Sequence, residues 1–378
     1  MTTRTALDQR VYVTRPIIPA WSEIEPALRR VFESGTLTNM GPAHVELEQR
    51  LQDRLGSGHL SLWNNGTNAL LGMLSQFDLT GEVVVTPFTF PATVHAVKIL
   101  GLDPVFADVR EDDLTLDADS VAERVTSRTS AVLGTHVYGN FCDTQGLARV
   151  AHDAAADQPV RVLYDGAHIF GRSTPVFDRP ADMGDATILS FHATKLYHTV
   201  EGGAIVTPHE EVHERFRTAR NFGIRGEELV TGVGINGKMS EVHAAVGLVV
   251  LDHLQRELDR RAELAALYTE RLRDRPGIRI LSGGDDVHQY MTIRVDGTVH
   301  EQGRDRLRDL LLQHNIVSRK YFYPLCSEID IYRAGASAHE LPVATRAANE
   351  CLVLPLYGDL DRGVVELVCD LVDDFVGL

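Results

Sequence analysis

One lysine directly follows an apolar segment that is typical of a buried strand. The chain reads Ala186-Thr-Ile-Leu-Ser190 and continues as Phe-His-Ala-Thr-Lys195, and a second apolar run, Gly203–Val206, returns after a Gly-Gly turn. The first run predicts an interior strand that ends at the sheet edge where α/β enzymes keep their sites. Because partial desolvation lowers the pKa of an amine, Lys195 at this edge can attack a carbonyl carbon and form a Schiff base.

A carboxylate ends another apolar run upstream. Arg161-Val-Leu-Tyr-Asp165 predicts a second buried strand, and His168 follows shortly after it. Taken alone, Asp165 is typical of a helix N-cap. Together with Lys195 it indicates pyridoxal phosphate (PLP), a carbonyl cofactor whose ring nitrogen must stay protonated beside an acidic group. Asp165 is therefore the predicted partner of that nitrogen, and His168 is predicted to approach the ring face or its phenolic oxygen.

Small polar residues at the start of an apolar helix predict a phosphate site. Trp63-Asn-Asn-Gly66-Thr67 opens such a helix. Because backbone N–H groups and the helix dipole at an N-terminus bind a phosphate dianion, the predicted ligands are Gly66, Thr67 and the Ser190 hydroxyl. Phe90 lies in an aromatic loop after another buried strand and is predicted to stack on the pyridine ring. A loop phenylalanine on its own is more often a core residue.

Further segments match one family when they are taken in chain order. They are Val13-Thr-Arg-Pro16, Leu37-Thr-Asn-Met-Gly41-Pro42, Asn65-Gly-Thr67, Thr86-Pro-Phe-Thr-Phe90, His136-Val-Tyr-Gly-Asn140, Asp165-Gly-Ala-His168, Ser190-Phe-His-Ala-Thr-Lys195, Gly234-Ile-Asn236 with the residues up to Ala245, and Leu352-Val-Leu-Pro-Leu356. The chain resembles the DegT/DnrJ/EryC1/StrS aminotransferases over nearly its whole length. These are PLP enzymes of fold type I that aminate keto groups on nucleotide-activated sugars.

The resemblance implies a role for each matching residue. Lys195 would be the Schiff-base lysine, Asp165 the partner of the ring nitrogen and Phe90 the stacking residue. Asn236 would reach the phosphate of the partner subunit's cofactor, a role that rests on the resemblance alone, in a homodimer with shared active sites. Ala193 stands where the family often has proline, and Gly166 where it often has alanine. Dehydratases of the family carry histidine at the lysine position, so Lys195 favours transamination.

Apolar runs that alternate with helical stretches predict an α/β fold between residues 60 and 207. The predicted architecture is a mostly parallel central sheet wrapped by helices, with a smaller C-terminal α+β domain. Apolar residues spaced as on a helix predict one long helix over Glu241–Leu272. We place the large PLP-binding domain at residues 1–255 and the small domain at 256–378.

Composition excludes several other classes of protein. The formal net charge of −16 argues against binding to nucleic acid, which calls for clustered Lys and Arg. The four cysteines show no C-x-x-C spacing, so reduced thiols are expected. The N-terminal residues lack the apolar core of a signal peptide, and no apolar run is long enough to span a membrane, so a cytoplasmic protein is expected.

Two motifs in the sequence are interpreted as coincidental. Gly232-Val-Gly234-Ile-Asn-Gly237 spells the dinucleotide fingerprint but lacks the strand that must precede it. His209-Glu-Glu-Val-His213 spells a zinc-protease motif, but it lies in a charged segment after a proline and is interpreted as a solvated helix start. No metal is expected.

The predicted function is transfer of an amino group from glutamate to the keto carbon of a nucleotide-activated deoxysugar. The segments Thr86–His95 and His136–Asp143 resemble most the family members that aminate the 4-keto group of a dTDP-4-keto-6-deoxyhexose, and this resemblance implies dTDP-4-keto-6-deoxyglucose, aminated at C-4, as the preferred substrate. Amination at C-3 is the first alternative, and a non-catalytic sensor that uses the same pocket is the second.

Cationic and aromatic residues are expected along the path of the nucleotide. Arg319 and Tyr321 are the predicted substrate-binding residues, because Arg forks a phosphate and Tyr stacks on a base. An apolar wall for the sugar methyl group is assigned to Phe88 or Phe141. Neighbouring candidates for the same path are Arg225, Lys238, Lys320 and Tyr323.

Overall fold

The computed structural model describes residues 5–56, 59–155, 159–172, 183–281, 289–333 and 340–378. The helices are α1 (Trp21–Ser34), α2 (Pro42–Leu55), α3 (Gly66–Ser75), α4 (Pro91–Ile99), α5 (Ala118–Arg124), α6 (Thr144–Ala154), α7 (Glu210–Ala219), α8 (Glu241–Leu272), α9 (Gly303–Gln313), α10 (Pro342–Glu350) and α11 (Arg362–Val376). The strands are β1 (Leu60–Trp63), β2 (Glu82–Val85), β3 (Asp103–Phe106), β4 (Thr129–Thr135), β5 (Arg161–Asp165), β6 (Ala186–Ser190), β7 (Gly203–Val206), β8 (Ile224–Arg225), β9 (Leu229–Val230), β10 (Ile278–Ile280), β11 (Met291–Val295) and β12 (Cys351–Leu354).

The large sheet is mostly parallel, as the alternation of apolar runs predicts. Its strand order is β1-β7-β6-β5-β4-β2-β3. The neighbours from β6 to β3 pair in parallel, whereas β7 runs antiparallel to both β6 and β1. β6 and β7 therefore form the two sides of a hairpin, and the loop between them carries Lys195. The expected α/β architecture is confirmed.

Helices cover the large sheet on both faces, which explains why its strands read as continuous apolar runs. Successive residues of β2 point to opposite faces, so Val83 and Val85 join one hydrophobic cluster and Val84 another. The first cluster contains residues of α3 and α4, and the second contains residues of α5 and α6. Farther along the sheet, α2 and α8 cover β1, β6 and β7.

One long helix runs between two hydrophobic cores. α8 has the predicted bounds, Glu241–Leu272. Its first half packs with α2 and the large sheet, and its second half packs with the antiparallel sheet β10-β11-β12 and with α9 and α11. Residue 255 lies inside this helix, and the division into residues 1–255 and 256–378 stays a prediction.

A buried carboxylate joins the start of α8 to the start of α2. Glu241 accepts hydrogen bonds from the backbone N–H groups of Ala43, at 2.7 Å, and His44, at 2.9 Å. A side chain at Gly41 would place its Cβ 2.8 Å from the Glu241 carboxylate carbon, so glycine is required there. These contacts give the Leu37–Pro42 and Glu241 segments of the family pattern a structural role.

Neither coincidental motif has the structure that its usual function requires. His209 and Glu210 are exposed at the start of α7, and His213 Nε2 lies 3.0 Å from the Leu60 carbonyl oxygen. The glycine motif follows only the exposed two-residue strand β9. Across the described ranges, no group of three His, Cys, Asp or Glu side chains is arranged to hold a metal ion. Within the same ranges, no helix has the length and apolar character needed to cross a bilayer.

Candidate active site

A cavity of about 360 Å³ lies at the carboxyl ends of the parallel strands β4, β5 and β6. The sequence predicts many of the residues that line it, and these are Gly66, Thr67, Phe90, Asp165, His168, Ser190, Lys195 and Tyr321. Other lining residues carry functional groups that the sequence reasoning missed, and these include Thr89, Thr135, His192, Glu201, Tyr290 and Phe322. The predicted residues therefore converge on one concave site, as is usual for small-molecule binding.

Lys195 is held in the loop that joins β6 to β7. The ends of this loop are fixed by the pairing of Ser190 with Gly203, and the Lys195 N–H donates to the His192 carbonyl oxygen at 2.8 Å. Burial lowers the pKa of Lys195 from 10.5 to about 8, against the opposing effect of the Asp165 carboxylate. Near neutral pH the unprotonated amine that a nucleophile requires is thus a minor form of Lys195, but it is far more abundant than in a lysine with a pKa of 10.5.

Asp165 is the last residue of β5 and is buried. Its Oδ1 accepts from the Ala167 N–H at 3.0 Å, and its Oδ2 accepts from the Thr93 hydroxyl at 2.6 Å. A turn, not a helix, follows Asp165, so the residue is not a helix N-cap. Its carboxylate faces the cavity, where it can pair with a protonated ring nitrogen.

His168 is buried beside two aromatic rings. It stacks on Phe322 with 6.2 Å between ring centroids and an interplanar angle of 7°, and it meets Tyr290 edge-on at 5.1 Å. Burial, with a further contribution from the positive charge of Lys195, lowers the pKa of His168 well below its ordinary value. Its Nδ1 is buried without a hydrogen-bond partner in the described part of the chain. A buried polar atom of this kind calls for a partner, which a bound ligand can supply.

The start of α3 lies at the cavity and offers an anion N–H groups that are unpaired among the described residues. Asn65 caps the helix by accepting from the Asn68 N–H at 2.7 Å, so Gly66 and Thr67 lie in its first turn. N–H groups of a first helical turn have no acceptor within the helix. A Cβ at Gly66 would lie 3.2 Å from the Ser190 hydroxyl oxygen, so glycine lets the first turn of α3 and the Ser190 hydroxyl lie close enough together to contact the same anion.

The four groups together fit PLP. The helix start of Gly66 and Thr67 suits its phosphate. Asp165 suits its ring nitrogen, the orphaned His168 nitrogen suits its phenolic oxygen, and Lys195 suits its carbonyl carbon. Phe90 directly precedes α4, and its side chain is 58% exposed and lines the cavity, so its ring is free to stack on the cofactor.

Two predicted site residues lie outside this cavity. Arg319 lines a neighbouring cavity of about 590 Å³, together with Arg308 and Tyr323. Phe90 and Tyr321 line both cavities. Asn236 is exposed, and its carbonyl oxygen accepts from the Asn64 side chain at 3.0 Å.

The apolar wall expected for a sugar methyl group is assigned to the wrong residues. Phe88 is fully buried and packs edge-on against Tyr138 and Phe322. Phe141 lies under the Arg172 guanidinium at 5.4 Å. Neither is among the residues that line the cavity, because both side chains point into the packing around it. The apolar surface instead comes from Leu70, Ala92, Ile188 and Phe322.

Comparisons with known proteins agree with this geometry. The model of the DegT/DnrJ/EryC1/StrS aminotransferase family matches residues 20–373. The dTDP-4-amino-4,6-dideoxy-D-glucose transaminase of Escherichia coli is 38% identical over 370 residues, which are 97% of this chain and 98% of that protein.

Solved structures share the same fold. DesI, studied as a crystal structure in the presence of its TDP-sugar product, superposes with a TM-score of 0.90 at 34% identity, covering 99% of this chain and 94% of DesI. A putative sugar aminotransferase from Streptococcus pneumoniae in its PLP form superposes with a TM-score of 0.88 at 23% identity, covering 97% and 98% of the two chains, and shows the fold alone. The fold is therefore that of the type I PLP enzymes, and the protein belongs to the DegT/DnrJ/EryC1/StrS family of PLP-dependent aminotransferases.

Proposed function

We propose that this aminotransferase moves an amino group from glutamate to C-4 of dTDP-4-keto-6-deoxyglucose. The observation that carries the proposal is the convergence of Lys195, Asp165, His168 and the start of α3 on one cavity. The sugar is suggested by the transaminase of Escherichia coli, whose name places the amino group on carbon 4 of a dTDP-dideoxysugar.

The protein side chains divide the work of the reaction. Bound PLP supplies an electrophilic carbonyl carbon and a ring that takes up an electron pair. Asp165 holds the proton on the ring nitrogen, and His168 contributes a neutral ring beside the phenolic oxygen. Because its pKa lies near 8, Lys195 can accept a proton at the reacting carbon and return it near neutral pH. The first turn of α3 and the Ser190 hydroxyl hold the phosphate in place.

The neighbouring cavity supports a substrate with a charged tail. Its lining combines Arg308, Arg319 and Lys320 with Tyr321 and Tyr323. The Lys320 ammonium lies 5.0 Å from the centre of the Tyr323 ring and 2.8 Å from Asp305. A sugar in the first cavity would extend its diphosphate toward these cations, since the two cavities share part of their walls.

Apolar lining supports a deoxysugar rather than a sugar with a 6-hydroxyl. Ile188 and Ala92 line the cavity together with Phe322. A hydroxyl buried there without a partner would cost about 1–3 kcal/mol, whereas a methyl group would not. Discrimination by one such contact is roughly 10–200-fold, so related keto-sugars should react slowly.

We also propose a homodimer whose active sites are shared. The segment around β8 and β9 exposes a run of apolar side chains, which are Phe222, Ile224, Leu229, Val230 and Val233. An exposed apolar surface of this kind indicates a protein interface. Asn236 follows in the same segment and does not line the cavity of its own chain, which supports a role at the partner's phosphate.

The test is a reaction of the PLP-loaded enzyme with glutamate and dTDP-4-keto-6-deoxyglucose. We expect 2-oxoglutarate and the 4-amino-4,6-dideoxy sugar nucleotide, with nitrogen placed on C-4 by NMR. The variant Lys195→Ala serves as the control that lacks the nucleophile and should give no product. Nitrogen on C-3 would replace the substrate assignment with the alternative, and no turnover with any of a panel of keto-sugar nucleotides would overturn the proposed function.

A further inference from the structure

Three buried threonine hydroxyls form a line that ends at Asp165. Thr93 lies in the first turn of α4, Thr89 in the loop before it, and Thr135 at the end of β4. The hydroxyl oxygens of Thr135 and Thr89 are 3.1 Å apart, those of Thr89 and Thr93 are 2.9 Å apart, and Thr93 donates to Asp165 Oδ2 at 2.6 Å. All three side chains are at most 3% exposed.

The chemistry of the groups fixes the direction of every hydrogen bond in the line. An ionised carboxylate only accepts, so the single hydroxyl hydrogen of Thr93 points to Asp165. Thr93 must then accept from Thr89, because it has no second hydrogen to give. The hydrogen of Thr89 is used in the same way, and Thr89 must accept from Thr135. Every hydroxyl dipole therefore points toward the carboxylate.

Such an aligned line is stronger than its separate contacts. A hydrogen bond donated to a charged group is stronger than one between neutral groups, and neighbours in a chain polarise one another. Valine has nearly the shape of threonine and would fill these positions if packing were their only role. The hydroxyls thus stabilise the negative charge of Asp165 at the end of the line.

The same contacts set the orientation of the carboxylate. Oδ2 is held by Thr93 and Oδ1 by the Ala167 N–H, so the plane of the group cannot turn freely. Each oxygen keeps a further lone pair for a ligand. The direction in which that lone pair points into the cavity therefore depends on residues from three separate segments of the chain.

We propose that Thr93, Thr89 and Thr135 are positioning residues, which stabilise the Asp165 carboxylate and aim it at the ring nitrogen of PLP. The proposal rests on the assignment of the cavity to this cofactor. Its consequence is a preference for a ring that carries a protonated nitrogen over one that lacks it. That preference is a property of binding and can be measured without substrate.

The test compares the binding of PLP with the binding of its 1-deaza analogue, in which a C–H group replaces the ring nitrogen. Both dissociation constants are measured on the cofactor-free protein by absorbance titration. In Thr93→Val the ratio of the analogue's dissociation constant to that of PLP should fall roughly tenfold, which is the effect expected from losing one hydrogen bond to a charged group. Thr93→Ser keeps the hydroxyl and should restore the parent ratio.

Further variants separate the possible failures. Asp165→Asn should remove most of the preference, and if it leaves the ratio unchanged then the cofactor assignment of the cavity has failed, not only the role of the threonines. Thr89→Val and Thr135→Val should lower the ratio by smaller steps with distance from Asp165, and they test the line if Thr93→Val does not fold. A folded Thr93→Val protein with the parent ratio, or equal ratios in all three valine variants and the parent, would overturn the proposal.

Discussion

At the scale of single residues, burial and neighbouring charges determine the protonation state of each catalytic group. Lys195 is a reactive amine because burial lowers its pKa to about 8, whereas exposed lysines titrate near 10.5. His168 stays neutral for the same reason, since both burial and the charge of Lys195 disfavour its protonated form. The site therefore contains a base and a neutral imidazole that titrate apart, in the manner of acid–base catalysts.

The lowered pKa of Lys195 predicts how its capture of PLP depends on pH. The fraction of free amine reaches about half at pH 8 and levels off roughly one to two pH units higher, whereas the free amine of an ordinary lysine would reach half only near pH 10.5. Borohydride reduction of the cofactor-free protein mixed with PLP, followed by peptide mapping at each pH, measures the label on Lys195. Lys98→Ala should leave the profile unchanged. A label on another lysine would remove Lys195 from the proposed role.

The chemistry of the site could be predicted from sequence where a residue type with a known part in cofactor chemistry lies near a recognisable strand or helix end. Lys195, Asp165 and Gly66 meet that condition. The threonines at 89, 93 and 135 come from three segments, and nothing in their spacing indicates that their hydroxyls meet. Phe88 was misassigned because a loop position does not determine which way its side chain points.

At the scale of elements, periodicity predicts the parts more surely than their order. The apolar spacing gave the bounds of α8, since burial on one helix face repeats along the chain. The order β1-β7-β6-β5-β4-β2-β3 depends on pairings between distant segments, which leave no local pattern. β7 returns antiparallel to β6 through residues 191–202, which form turns and bends and contain no crossover helix of the kind that joins parallel strands.

The link between α2 and α8 predicts a measurable loss of stability. Glu241→Ala leaves the N–H groups of Ala43 and His44 without their acceptor at a buried helix start. We expect the free energy of unfolding in urea to fall by about 1–3 kcal/mol. Glu270→Ala, at an exposed position of the same helix, should change it little. Equal effects of the two variants would show that the cap contributes nothing.

A second carboxylate predicts sensitivity to acid. Burial would raise the pKa of Glu48, but His44 and the buried Arg220 hold it well below its ordinary value of 4.5. The folded protein thus binds fewer protons here than the unfolded chain, and the contribution of Glu48 to stability is present above pH 4.5 and lost as the pH falls below it.

Urea unfolding of the cofactor-free protein at several pH values tests this contribution. Glu48→Gln should be less stable than the parent at pH 7 and should lose less stability on acidification. Glu46→Gln, at an exposed position of α2, is the control and should follow the parent. If the Glu48→Gln protein lost stability as steeply as the parent, the carboxylate would not be the acid-sensitive group.

At the scale of the whole molecule, shared active sites predict complementation between two inactive chains. In a mixed dimer of Lys195→Ala and Asn236→Ala chains, one site would contain both intact residues and the other neither. Random pairing would give roughly a quarter of the parent activity, because half of the dimers are mixed and each has one intact site. Activity is measured after the two tagged chains are unfolded, mixed and refolded.

The control for this experiment uses two changes on the same side of the site. Lys195→Ala mixed with Asp165→Asn leaves no intact site in any dimer if both residues serve the cofactor of their own chain, so it should recover no activity. Purification through both tags confirms that mixed dimers are present. If mixed dimers of Lys195→Ala and Asn236→Ala chains are present but inactive, Asn236 does not act across an interface.

The length and composition of α8 limit how the molecule can move. Its 32 residues form a rod about 48 Å long that contains no proline. Its one glycine, Gly247, accepts a hydrogen bond from the Tyr197 hydroxyl at 3.1 Å, in a contact too close for a larger side chain. Because α8 has no residue at which it could bend easily, we expect the two hydrophobic cores at its ends to keep their relative orientation when a ligand binds. The enzyme would then bind its cofactor without a change of overall shape, and its small-angle scattering profile should be the same with and without cofactor.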